Sequence, residues 1–455
     1  MTTKFLKQII LATGIATATV SCSSDFVDTE FEQSVVAGPL TSSNEVESFV
    51  RGIYTSMRST AYYGRDYIVF AEVRSDEMYT NGYAGYYNSV ANYTMTSADS
   101  YARDTYAQIY TAVAKANIVI NTDINGIIGT ATDKKQVLFA QGQAHALRAL
   151  FFFDLLKLYG QNYTDGDLGI AMPLGFDPKA SDARGTIAEN EAQIEADFAK
   201  GLELMTANKM STSSIELSIP AVKSLMSRYF LYKGDYAKVR ELVKDVANSG
   251  YSVVAADSYA NSWKFDQQNN SIFELAVGVS GSAGASSLGY IYNGDGYGNT
   301  VVTPELYNSF DDNDVRKGII DYIEDYDEYY VSGKYPDLEG GDNIKLVRIE
   351  EVLLNGVEAE LNGGSVELAT KYYNEIITKR GLAAVDTVTI EMLRTERSKE
   401  LLGEGFRMWD LLRWGIAIER PSGAKEDINL LAFPIPRAET DIAGTKIVSN
   451  PGYDN

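Results

Sequence analysis

Among 455 residues there is a single cysteine, Cys22, and a single histidine, His145. One cysteine excludes an internal disulfide framework and a cluster of thiolate metal ligands. One histidine leaves any two-histidine metal site without its second ligand. It also leaves Ser-His-Asp or Cys-His catalysis resting on a side chain set in an apolar helical pattern, where a packed or hydrogen-bonded helix residue is expected. No GxSxG elbow occurs, and the nearest approach to a phosphate-binding GxGxxG, "GDGYGN" (294–299), ends in Asn299 and has no cation beside it. Beyond the N-terminus no run reaches the ~18–20 apolar residues that a membrane span needs. Positive charge is scarce: 40 Lys and Arg face 62 Asp and Glu, for a net charge of −22, and residues 265–315 contain no Lys or Arg. Such a field opposes nucleic acid and anionic membrane surfaces as partners.

What is present begins with the N-terminus. "MTTKFLKQ" carries Lys4 and Lys7 and no acid, "IILATGIATATV" (9–20) is apolar or small, and Ser21 precedes Cys22. This is the layout of a secretory signal, too short for a membrane anchor. A cysteine directly after it resembles the acylated residue of a bacterial lipoprotein, although Thr19 stands where that pattern usually has Leu. Residues 1–21 therefore read as a lipoprotein signal peptide and residues 22–40 as the acylated Cys22 with a flexible, acidic tether. Several acyl chains, at ~0.8 kcal/mol per buried methylene, suffice to hold a water-soluble body at a membrane. Loss of Lys4 and Lys7 takes the net charge from −22 to −24. The expected location is outside the cytoplasm, attached to a bacterial membrane.

The body reads mainly as helix. In residues 133–160, Ala140, Ala144, Leu147, Phe151, Leu155 and Leu158 recur at three- and four-residue steps, and residues 101–122 carry a matching stripe, so the two are expected to form an antiparallel pair. Residues 219–250 give a second pair broken at Lys233-Gly234-Asp235, and residues 344–381 a third broken at Asn362-Gly363-Gly364. Residues 184–208 supply one more helix. Helix, tight glycine turn and helix is how tetratricopeptide-like units are built. Between Gly250 and Gly341 the pattern fails, and the glycine- and tyrosine-rich stretch 278–299 reads as a loop excursion. Residues 59–100 look similar. The chain thus divides into 41–250, 251–343 and 344–455. Its 31 tyrosines, against 17 phenylalanines, offer flat apolar faces with polar tips, suited to half-wet ligand contacts.

Two stretches offer oxygen ligands for calcium: Asn121, Asp123, Asn125 and Gly126, where Thr132 replaces the closing Glu of a calcium loop, and the acidic run containing Asp325, Asp327 and Glu328. No cofactor is expected. Carboxylates at glycosidase-like separations keep a surface glycoside hydrolase open as a rival reading. In "RTERSKELLGEGFRMWDLLRWG" (394–415), opposite charges three or four apart lie beside large aromatics, which favours shielded ion pairs and a structural knot.

This last stretch, with "FPIP" and "NPGY" after it and "AHALRALFFFDLLKLYG" and "VRIEEVLLNGVEAELN" before it, resembles the SusD/RagB family of surface lipoproteins. The resemblance implies a mainly α body of four tetratricopeptide-like helix pairs carrying irregular loop-rich regions. It implies no chemistry, but capture of an oligosaccharide, or of a peptide in members of the RagB type, as lid for a SusC-like TonB-dependent transporter. The family has no shared ligand motif. Binding residues are expected from loop context: Arg74, Asp76, Asn81, Tyr83, Tyr86 and Tyr87 in the first excursion, and Trp263, Tyr290, Tyr292 and Tyr297 in the second. Trp409 and Trp414 are expected to be buried.

Overall fold

Hydrogen-bonding side chains mark where most of the long helices start. Ser42 and Glu45 close a capping box before α1 (Ser43–Met57), Thr130 and Asp133 before α4 (Ala131–Tyr159), and Thr186 and Glu189 before α5 (Ile187–Ala207). Between α6 (Ile219–Lys233) and α7 (Tyr236–Ala247), Gly234 takes the left-handed conformation at φ 69° and Asp235 caps the next helix, so the chain reverses within two residues. A computed structural model describes residues 38–177, 182–421 and 427–453. Cys22 and the signal segment lie outside the described residues. Of the unit Met1–Leu40 only residues 38–40 are described, in irregular backbone.

From Thr41 onward the described residues form one unit of mainly α architecture. Four antiparallel pairs build it: α1 with α3 (Ser100–Ile120), α4 with α5, α6 with α7, and α8 (Ile349–Leu361) with α9 (Val366–Ile377). Helix α3 also packs on α4, as its stripe predicts, but α4 lies closest to α5. At that crossing the two backbones nearly touch: a Cβ on Gly201 would stand 2.8 Å from the Gly142 carbonyl oxygen. Beneath it, Arg148 donates to both Asp197 carboxylate oxygens (2.7 and 2.9 Å) and His145 Nδ1 lies 2.7 Å from the same carboxylate. Burial alone would raise the Asp197 pKa, but these bonds outweigh it and hold the group below its ordinary range.

Two expectations are corrected. Residues 59–100 are not all loop, because α2 (Asp66–Val73) lies within them with all eight residues buried. Its side chains are covered on every side, so no amphipathic stripe announces it. The third pair does not begin as helix: Ile344–Arg348 is a strand, β6, buried and antiparallel to β2 (Ser271–Leu275). Ile344 and Val347 are β-branched and suit a strand, and the strand is buried along its whole length, its Arg348 paired with Glu400.

The C-terminal knot is real and deep. At the end of α10 (Ile390–Glu400), Glu400 accepts from Arg380 (2.8 and 2.9 Å), Arg348 (3.0 Å) and Arg316 (3.2 Å), and all four side chains are no more than 1% exposed. Burial would raise the Glu400 pKa, but the three guanidiniums keep it well below the ordinary carboxylate value. Helix α11 (Arg407–Arg413) follows. Trp409 is buried as expected; Trp414 is only half-buried, its Nε1 donating to Glu358 at 3.1 Å.

Removing one charge from a buried network strands its partners. Glu400→Gln is expected to lower folding stability by about 3–5 kcal/mol in chemical denaturation. Glu203→Gln, in the exposed Lys200–Glu203 pair, should change it by no more than about 0.5 kcal/mol.

Candidate functional site

Three irregular segments meet at a small sheet of strand order β1-β3-β5-β4, formed by Met78–Thr80, Thr300–Val302, Glu328–Tyr330 and Asp321–Ile323. Strand β1 runs into the first tyrosine-rich excursion. Strand β3 closes the second, and β4 with β5 forms a hairpin through the acidic run. Glycine permits the fit: a Cβ on Gly294 would lie 2.1 Å from Ile323, and one on Gly298, already at φ 51°, would lie 2.9 Å from the Tyr330 ring.

Asn81 joins all three segments. Its Nδ2 donates to the Gly298 carbonyl (2.8 Å) and to Glu328 Oε2 (3.0 Å), and its Oδ1 accepts from Tyr83 N (3.2 Å). Tyr330 donates its hydroxyl to the same Glu328 oxygen. Around this pin the rings gather. Tyr86 and Tyr297 lie 5.3 Å apart at 35°, Tyr290 meets Tyr297 edge-on at 4.9 Å, and Tyr83 meets Tyr326 at 6.0 Å. Tyr83 is 68%, Tyr326 52% and Tyr297 40% exposed. Asn81 also lines a cleft of roughly 580 Å³, together with Tyr79, Thr80, Gly82, Asn88, Asn92 and Arg420 among others. Flat apolar faces stand beside amides and hydroxyls that can both donate and accept. This pairing suits a ligand with C–H faces and rings of hydroxyls.

Of the ten residues expected here, Asn81, Tyr83, Tyr86, Tyr290 and Tyr297 share this surface, and the other five do not. Arg74, 1% exposed, donates to the Leu430 carbonyl at 2.6 Å and stacks on Tyr93 and Phe433. Asp76 is held by Arg407 at 2.7 and 2.8 Å. Tyr87, fully buried, donates to Asp66 at 2.6 Å and stacks on Tyr101. Tyr292 is also fully buried. Trp263 is 4% exposed, its ring covered by Lys334, Lys345 and Arg348. These five are polar or aromatic residues of loop-like sequence that α2 and the ion network draw inside. Tyr326, exposed on this surface, and Glu328, buried beneath it, are not among the ten because their run reads as acidic. The alternation of tyrosine with acid in "YIEDYDEYY" was the available signal.

The calcium stretches make local bonds: Asp123 Oδ1 accepts from Asn125 N at 2.9 Å, and Asp327 Oδ1 from the Tyr322 hydroxyl at 2.8 Å. Among the described residues no group of three or more Asp, Glu, His or Cys is arranged to hold a metal ion. A partly open pocket lined by Trp409 also holds cations that already have partners, among them Arg228 with Glu351, Arg397 with Asp410, Arg413 with Glu358 and Lys157 with Asp154.

The root of β1 is tied to the C-terminal knot. Glu72 accepts from Gly405 N at 2.6 Å, and Glu77 lies 2.7 Å from Arg407. Burial raises both carboxyls, to about 7 for Glu72 and about 8 for Glu77, against lowering by Gly405 and Arg407 respectively. A raised folded-state pKa gives stability that is complete below the unfolded value and lost as pH climbs through the folded one. Stability should therefore fall between about pH 4.5, the ordinary value of both groups, and about pH 8, the raised value of Glu77. Glu77→Gln should flatten that fall when denaturation midpoints are compared at the two pH values.

Known proteins resemble this chain over nearly its whole length. A family described as starch-binding and associating with the outer membrane matches residues 25–231, and the SusD family matches residues 328–432. A SusD superfamily protein from Bacteroides thetaiotaomicron is 26% identical, with a TM-score of 0.81 over 90% of this chain and 100% of that one. A SusD superfamily protein from Bacteroides vulgatus is 25% identical, with a TM-score of 0.82 over 91% and 100%. Surface glycan-binding protein A from Bacteroides fluxus shares the fold at 21% identity, with a TM-score of 0.74 over 91% and 100%. No curated protein matches the chain. Matches to both ends of the sequence, together with the same helical body under its loops, place this protein in the SusD/RagB family of glycan-binding, outer-membrane-associated proteins.

Proposed function

We propose that the protein is a non-catalytic, lipid-anchored surface receptor that captures an oligosaccharide on the tyrosine platform and delivers it to a SusC-like TonB-dependent transporter. The observation that carries this reading is the platform itself: Tyr83, Tyr86, Tyr290, Tyr297 and Tyr326 gather beside a cleft around the single pin Asn81. Stacking a sugar face on such a ring is worth ~1–3 kcal/mol by analogy with base stacking. Two or three rings, with amides satisfying the hydroxyls, reach micromolar affinity without a charged contact, since about 8 kcal/mol corresponds to that range. Among the described residues no helix is long and apolar enough to cross a membrane, and the signal-like segment ending at Cys22 supports anchoring through lipid on that residue.

Calorimetric titration with a panel of soluble polysaccharides tests the platform. Saturable binding without release of reducing ends is expected, and Tyr86→Ala with Tyr297→Ala should weaken it at least about tenfold. The thermal midpoint should move little, because Tyr297 is 40% exposed. Production of reducing ends would favour the glycosidase reading, and saturation by peptides alone the peptide-binding one. A separate measurement addresses the anchor. Cys22→Ala should abolish incorporation of radiolabelled palmitate and release the protein from the membrane fraction.

A further inference from the structure

We infer that the platform selects uncharged glycans and rejects those carrying carboxylate or sulfate groups. The inference rests on the platform being the ligand surface and adds the class of ligand it takes. The segments that build the platform, residues 75–102, 265–315 and 318–333, contain no Lys or Arg, while each contains several Asp or Glu. The structure turns this bias into local geometry. Tyr326 lies between Asp325 and Asp327 at the hairpin tip, with Glu324 next in the chain, and all four are exposed. Asp295, also exposed, stands two residues before Tyr297. Glu328 lies under the junction, bonded to Asn81 and Tyr330. The hydroxyl pKa of Tyr79 is raised first by burial and then by Glu328, Tyr83, Asp327 and Glu305, which shows the sign of the field beside the cleft.

The cations that border these rings are committed elsewhere. Arg65 lies 5.6 Å from the Tyr86 ring, but its Nε bonds Asp66 at 2.7 Å and its Nη1 bonds the Ser286 carbonyl at 3.1 Å. Lys317, over Tyr307, pairs with Asp312 at 3.1 Å. Arg420, on the cleft wall, donates to the Ala91 carbonyl at 2.9 Å. An anionic sugar stacked on Tyr326 or Tyr297 would place its charge within a Debye length, ~8–10 Å, of several carboxylates. A neutral sugar meets no such repulsion and gains the same stacking.

The test titrates the full-length chain with soluble starch, laminarin, xyloglucan and galactomannan. Each polymer is also prepared as its hydroxyethyl derivative, which adds bulk without charge, and as its carboxymethyl derivative at equal substitution. Any polymer that binds should lose at least about tenfold in affinity on carboxymethylation relative to hydroxyethylation at low ionic strength. The gap should narrow at about 0.5 M salt and in the combined variant Asp295→Asn, Glu324→Gln, Asp325→Asn. Equal or tighter binding of the carboxymethyl polymers would overturn the inference. If that binding still required Tyr86 and Tyr297, the platform reading would survive alone. Tyr297-dependent binding of basic peptides in place of polysaccharides would also overturn it. Binding to no polymer in the panel would remove the platform reading and this inference together.

Discussion

Glu400 is the point through which the rest of the structure is tied. Its carboxylate, with no solvent exposure, receives three guanidiniums from separate parts of the chain: Arg316 beside the acidic hairpin, Arg348 at the end of β6, and Arg380 beyond α9. Uncompensated burial of charge on this scale costs several kcal/mol for each ion, and only near-complete pairing makes it tolerable. The pairing is therefore all or nothing, and it fixes where each of the three segments can lie.

The functional surface inherits that order. The hairpin carrying Tyr326 is clamped at both roots. On one side Arg316 bonds Glu396 (2.6 Å) and Glu400, and on the other Lys334 bonds the Glu400 carbonyl (2.9 Å) and Glu404 (2.5 Å). The excursion carrying Asn81 and Tyr83 is fixed by the same motif one turn later, through Gly405 to Glu72 and Arg407 to Asp76. Strands of three residues could not hold tyrosines in place alone. Anchoring their roots to a buried lattice of ions lets loop-borne rings behave as a preformed surface, and less ordering is then left to oppose binding.

How much of this could be read beforehand follows from what each feature requires. The long helices were legible because a one-sided apolar stripe has a period, and the break at Gly234 because a left-handed turn has few residue types to choose from. Helix α2 was not: Asp66–Val73 is buried on every face, and without a polar side there is no period to detect. The charge pattern of 394–415 announced a knot, but its partners Arg316, Lys334, Arg348 and Arg380 lie far off in the chain, where no spacing rule reaches them. Half of the expected binding residues landed on one surface because glycine, asparagine and tyrosine together do favour exposed loops. Trp263, Arg74 and Tyr87 went inside because cations, carbonyls and a carboxylate from distant parts of the chain, invisible in a linear window, covered them, and Tyr292 because it packs against the Tyr335 ring.

The position of the knot in the chain also sets an order of assembly. Helices α1, α3, α4 and α5 pack chiefly on one another, among residues 43–207, so they can form as soon as that length is available, whereas α7 packs nearly as much on α8 as on α6. Asn81, Tyr297 and Tyr326 cannot be fixed until residues 396–407 arrive, since those residues hold the roots of two of the loops that carry them. Asn81, made early, therefore waits for residues 396–407 before its loop is held, and a chain cut short before α10 would leave the tyrosine surface without these anchors.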